Sequence, residues 1–188
     1  MHRQQDTLDA QRFSTRRFRR VVTGHDSFGR SVILSDDRSP HAMPFMGIEG
    51  LVVTDLWKSD STPVDNGPAT ASDPCKVPIS IAPPSRGAVF RMTQFPPEST
   101  WRPGSDATPS EDQPPSSLKG SNHPHMHETT TLDYAVVVEG EIWMVMEDGE
   151  TCMRAGDVVI QRGTRHAWAN RSDAPCVIAF VMIDALPR

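Results

Sequence analysis

Tyr134-Ala135-Val136-Val137-Val138-Glu139-Gly140-Glu141-Ile142-Trp143-Met144-Val145-Met146-Glu147-Asp148-Gly149 decides the fold. Two strand-length apolar runs, the first rich in valine, are separated by a Glu-Gly pair and closed by Asp-Gly. This reads as a β-hairpin. The same punctuation continues downstream. Thr151–Arg154 is followed by the Ala155-Gly156-Asp157 turn, then by Val158–Gln161. Gly163-Thr164 precedes His166–Asn170, Ser172-Asp173 turns the chain, and Cys176–Ile183 is the most apolar run. Short strands separated by glycine or aspartate turns predict an all-β sandwich or barrel.

Upstream, Leu51–Trp57 and Ala88–Phe95 are further strand candidates. Arg20-Val21-Val22-Thr23 and Ser31-Val32-Ile33-Leu34 flank a glycine-containing turn and predict an N-terminal hairpin. Between these elements, residues 59–86 and 96–122 are rich in Pro, Ser and Asp and keep no hydrophobic period. They read as long loops at the mouth of the barrel. Residues 1–17 are expected to form an arm or short helix, and 18–188 one domain with its barrel core at 123–183.

Composition narrows the function classes. A formal net charge of −5 argues against nucleic acid as a partner. Arg12, Arg16, Arg17, Arg19 and Arg20 are a local cluster that suits a solvated arm. No apolar run is long enough to span a bilayer, and Met1–Asp6 has no apolar character of a secretory leader. Cys75, Cys152 and Cys176 lack metal-knuckle spacing and read as free thiols, so a cytoplasmic location is expected. There is no G-x-G-x-x-G following a strand and no P-loop.

Chemistry concentrates just before the hairpin, in His123-Pro124-His125-Met126-His127-Glu128-Thr129-Thr130-Thr131-Leu132-Asp133. On an extended strand His125, His127, Thr129, Thr131 and Asp133 share one face. With His166 from a neighbouring strand, they form a set of imidazole and carboxylate donors that suits a divalent metal. Asp133 is also a candidate general base, since a carboxyl in an apolar barrel titrates nearer neutrality. Trp168 and Asn170 share the parity of His166 and should face the same cavity, Trp168 as a substrate wall or as core. Tyr134 should face away. His123 is expected to be exposed, His25 structural, and His2 and His41 without a partner. Arg91 and Arg162 are either anchors for a substrate carboxylate or exposed strand-end residues.

At these residues the chain resembles the cupin superfamily, small jelly-roll β-barrels. Asp133 and Gly140 keep the acid-to-glycine spacing of the usual first motif, with Asp for Glu. Gly163, His166 and Asn170 keep the end of the second motif, with Gln161-Arg162 where its proline would fall. A closer resemblance is to stand-alone cupins of bacteria and fungal polyketide pathways. Thr23-Gly24-His25-Asp26, Asp133-Tyr134 and Gln161-Arg162-Gly163-Thr164-Arg165-His166-Ala167-Trp168 match their motifs. Two alignments of the first motif stay open. One pairs His127 with Thr129; the other pairs His125 with His127.

The resemblance implies one divalent metal (Zn, Mn, Ni or Fe) held by His125, His127, Asp133 and His166, with Asp133, His127 and Trp168 in catalytic roles. It implies a small-molecule enzyme doing Lewis-acid-assisted proton transfer, such as dehydration, isomerisation, decarboxylation or aromatising cyclisation. A non-haem iron oxygenase with a His/His/Asp site and a non-catalytic binding cupin are the alternatives. Exposed edge strands and the hairpin at Arg20–Leu34 lead to the expectation of a homodimer.

Overall fold

The computed structural model describes residues 15–67, 72–101 and 123–187. The expected arm up to residue 14 and most of the expected loop at 96–122 lie outside them. The described chain is built from strands β1 (Arg19–His25), β2 (Ser31–Arg38), β3 (Ala42–Pro44), β4 (Val52–Ser59), β5 (Ala88–Phe95), β6 (Thr131–Glu139), β7 (Glu141–Met146), β8 (Glu150–Arg154), β9 (Val158–Arg162), β10 (His166–Ala169) and β11 (Cys176–Asp184), with one 3-10 turn at Glu98–Thr100. The strands expected from the sequence are all present. The two unexpected elements are short: β3 contains Pro44 and lies at a sheet edge, where proline is tolerated.

Two leaves face each other. The larger is six-stranded in the order β3-β4-β5-β11-β6-β9, and the smaller is three-stranded, β10-β7-β8. The most apolar run, β11, pairs antiparallel with both β5 and β6 and so sits in the middle of the larger leaf. Alternation along β6 puts Thr131, Asp133, Ala135 and Val137 inside, while Tyr134, Val136 and Val138 point out, as period-2 patterning requires. Val137, Ile178 and Phe180 of the larger leaf meet Ile142, Met144 and Trp168 of the smaller one in the core. Ile178 is fully buried, and burying a side chain of its size contributes roughly 1.5–3 kcal/mol.

Residues outside the leaves are pinned to their backs. Met126 is buried with Val145, Ala167 and Ala169 on the outer side of the smaller leaf. Phe18 packs against Leu56, Met92 and Val177 on the outer side of the larger one. Hairpin β1-β2 is a separate two-stranded sheet, fastened by Arg20, which bonds Asp73 and the Leu56 carbonyl. Among the described residues no helix is long and apolar enough to cross a membrane.

Candidate active site

The alternation His125-Met126-His127 is set by burial of its middle member. Because Met126 plugs the back of the smaller leaf, its neighbours turn toward the space between the leaves. His127 is then fixed by an isolated antiparallel bridge to His166, with reciprocal backbone N–H···O bonds of 2.9 Å. The bridge brings the two imidazoles to 4.4 Å between ring centres. In each ring Nδ1 is held by a backbone carbonyl two residues back, His125 O for His127 and Thr164 O for His166, both at 2.9 Å. A carbonyl only accepts, so both rings carry their proton on Nδ1 and keep the Nε2 lone pair available. Burial pushes His166 down to about 4, helped by His127, and burial lowers His127 as well. Two neutral imidazoles with free Nε2 lone pairs are a ready half-site for a metal.

The turn before β10 supports this arrangement. Gln161 donates from Nε2 to the Thr164 carbonyl and hydroxyl at 2.8 and 2.7 Å. Gly163 adopts a left-handed φ of 56°, and a Cβ there would come within 3.2 Å of the Thr129 carbonyl oxygen. Gln161 and Gly163 together aim the Thr164 carbonyl at His166.

His125, Thr129, Asp133, Trp168 and Asn170 line the same cavity, which has a volume of about 140 Å³ and a mostly apolar wall. Burial pushes His125 down to about 4, and its ring packs at 4.5 Å on Trp101. Burial pushes the Asp133 carboxyl up to about 6, against the opposing pull of the Thr131 hydroxyl and the Arg91 charge. Asp133 Oδ1 is buried with no hydrogen-bond partner. A buried acceptor of that kind is costly and fits a ligand or proton that completes it. Asn170 reaches the cavity wall, but its amide is committed to the Phe95 and Ala174 carbonyls and to Ser172.

The structure differs from the sequence expectations in four places. The strand carrying Asp133 begins only at Thr131, so His125, His127 and Thr129 reach the cavity from a preceding irregular segment, not from one continuous strand. Among the described residues no three His, Cys, Asp or Glu side chains converge to metal-binding distance. His127 and His166 are brought together, while His125 and Asp133 share the cavity without closing on them. His123, expected to be exposed, is buried. Its Nδ1 accepts from the His125 amide, so Nε2 donates to Glu98 at 2.6 Å. His41 likewise has a partner, Asp73 Oδ2 at 2.9 Å.

Residues that the sequence did not mark also build the site, beside Arg91, which it left between two roles. Phe45, Met46 and Ile48, from the connection between β3 and β4, close one wall. Trp101 closes another. On the floor, Arg91 bonds Asp55 Oδ1 through Nε at 2.7 Å and the carbonyls of Ile81 and Ser80 through its terminal nitrogens. Lys58 lies 2.9 Å from the other Asp55 oxygen. The Phe45-Met46-Gly47-Ile48 apolar cluster inside a loop was the one available sequence signal.

A family model for the cupin domain matches residues 114–183. Phomopsin biosynthesis cluster protein C' of Diaporthe leptostromiformis is 32% identical over 175 residues, covering 89% of this chain and 79% of that one. The cupin-domain-containing oxidoreductase fogC of Aspergillus ruber is 31% identical over 172 residues, covering 88% and 71%. Among solved structures, a Cupin 2 conserved barrel domain protein from Salinispora arenicola CNS-205 aligns with a TM-score of 0.39 and 16% identity, covering 72% of this chain and 77% of that chain. Likeness at this level to relatives matched over most of both lengths, together with the domain match across β6–β10, makes the chain a member of the cupin superfamily.

Proposed function

We propose that this cupin is a metal-dependent enzyme that moves protons on a small, largely apolar, oxygenated molecule in a biosynthetic pathway. The observation that carries this reading is the His127–His166 pair, each ring locked by its Nδ1 with Nε2 left to coordinate. His127 and His166 would hold one divalent ion (zinc, manganese, nickel or iron), with His125 and Asp133 as the donors that complete the shell. The ion, when bound, supplies Lewis acidity toward an oxygen of the substrate. The chain's own groups do the rest. Trp168 and the apolar wall exclude water and orient the substrate, which strengthens every electrostatic contact inside. Asp133, if left unligated, takes a proton from carbon or oxygen and returns it, because its affinity for protons is raised toward neutrality. Dehydration, isomerisation, decarboxylation and aromatising cyclisation all fit that division of labour. The buried thiols Cys75 and Cys176 suit a reducing, cytoplasmic setting.

A second reading, oxidation with ferrous iron at a His/His/Asp set, is favoured by the names of relatives such as the oxidoreductases fogC and virC. Elemental analysis of purified protein should find near-stoichiometric divalent metal, and His166→Ala should weaken its binding by roughly 100-fold or more. Full occupancy retained in a His127→Ala, His166→Ala double variant would sink the site. Asp133→Asn should weaken the metal less than His166→Ala does, and in metal-saturated protein should lower kcat by roughly 100-fold or more. Turnover under strict anaerobiosis supports proton transfer, whereas an absolute need for iron and oxygen moves the assignment to oxidation.

A further inference from the structure

We infer that Arg91 is an anion anchor at the floor of the cavity and that the substrate carries a carboxylate on an apolar body. The inference rests on the reading of this cavity as the substrate site. Arg91 lines the cavity although it is only 6% exposed. Its partners hold it in place without exhausting it. Nε bonds Asp55, and one proton on each terminal nitrogen goes to the Ile81 and Ser80 carbonyls. A guanidinium has a second proton on each of those nitrogens, and among the described residues neither has a hydrogen-bond acceptor.

Asp55 is wholly buried and is shared between Arg91 and Lys58, itself 8% exposed. The Arg91 charge also acts on Asp133, but no hydrogen bond joins the two among the described residues. A guanidinium with unused protons is the donor best shaped for a carboxylate. An arginine that served only to tie residues 80–81 to β5 would gain nothing by reaching the cavity surface.

The wall beside Arg91 sets the rest of the ligand. It is mostly apolar and includes Phe180 and Trp168. A carboxylate on an apolar, aromatic body therefore fits, its body against those rings and its carboxylate toward Arg91.

The test is calorimetric titration of the protein as purified with benzoate and with benzamide, its neutral analogue of the same shape. Benzoate should bind about tenfold tighter or more. Arg91→Gln should abolish that preference, leaving benzamide affinity and metal content unchanged. Arg91→Lys, which keeps a charge beside Asp55, guards against loss of folding and should still weaken benzoate severalfold. Equal binding of the two probes, binding of neither at millimolar concentration, or a benzoate preference that survives in both Arg91 variants overturns the proposal. A preference lost in His166→Ala but kept in Arg91→Gln overturns it too, since the carboxylate then sits on the metal side, and the metal reading stands. A preference that depends on Arg91 in protein without metal leaves the anchor standing and removes the metal reading.

Discussion

Neutral imidazoles give the cavity a titration signature. In metal-free protein, His125 and His166 bind protons only near pH 4, against 6.5 in an unfolded chain. Their contribution to stability is therefore complete above 6.5 and is lost as pH falls toward 4. Asp133 works oppositely. Its proton affinity rises from 3.8 to about 6 on folding, so its contribution is present below 3.8 and is lost as pH rises through 6. Two histidines outweigh one carboxyl, and His127 shifts in the same direction as they do. The melting temperature of chelator-treated protein should fall by roughly 5–10 °C between pH 7 and 4.5, and His166→Asn should flatten that dependence. A flat profile in the wild-type chain would remove the neutral-imidazole account.

At this scale the sequence was a good guide to which residues share the cavity and a poor one to their partners. His125, His127, Asp133, His166 and Trp168 all reach it. The pairing of His123 with Glu98 was not legible, because its partner lies 25 positions away across a segment without any hydrophobic period. Arg91 was left between two roles for a similar reason. Its direction depends on Asp55 and Lys58, on a different strand, and only the β4–β5 register brings Asp55 opposite it.

Among the elements, the strands were legible because their apolar runs are short, burial alternates along β6, and the turns of the second half carry glycine or aspartate. The junction of β4 and β5 was not. Gly87 lies where β5 leaves the end of β4, and a Cβ there would sit 2.0 Å from the Ser59 carbonyl oxygen, a backbone atom that cannot swing aside. Gly87→Ala should destabilise the protein by about 1–3 kcal/mol, as overpacking does, read as a lower denaturation midpoint with an unchanged slope. An unperturbed midpoint would mean that the two strands separate there at little cost. Shift of that junction also moves Arg91, four residues on, so benzoate affinity should fall along with stability.

For the whole molecule, the outer face of the larger leaf carries a row of exposed apolar side chains among the described residues. Phe90, Val181, Tyr134 and Ile160 form one cross-strand row, with exposures of 41%, 36%, 44% and 53%. Val136 and Val158 extend it in the next row. Hairpin β1-β2 exposes Val21 and Ile33 nearby in sequence to the segment that already packs on this leaf. A homodimer that covers such surfaces is the expected assembly. Light scattering at micromolar concentration should report twice the chain mass, and Val158→Lys with Ile160→Lys should shift it to monomer without loss of metal. A monomeric wild-type chain would count against the assembly.

The wall formed by Phe45, Met46 and Ile48 has a consequence for how such a protein diversifies. Its connection closes on itself through bonds from Phe45 N to Leu51 O, from Ile48 N to Phe45 O and from Leu51 N to Ile48 O. Met46 holds a left-handed φ of 55° that these bonds keep in place. None of those bonds involves the leaf that carries His166 or the segment that carries His127. Selectivity and reactivity thus sit on separately heritable parts of the chain: a change in the length or side chains of residues 45–50 can alter which molecule enters while the imidazole pair stays untouched.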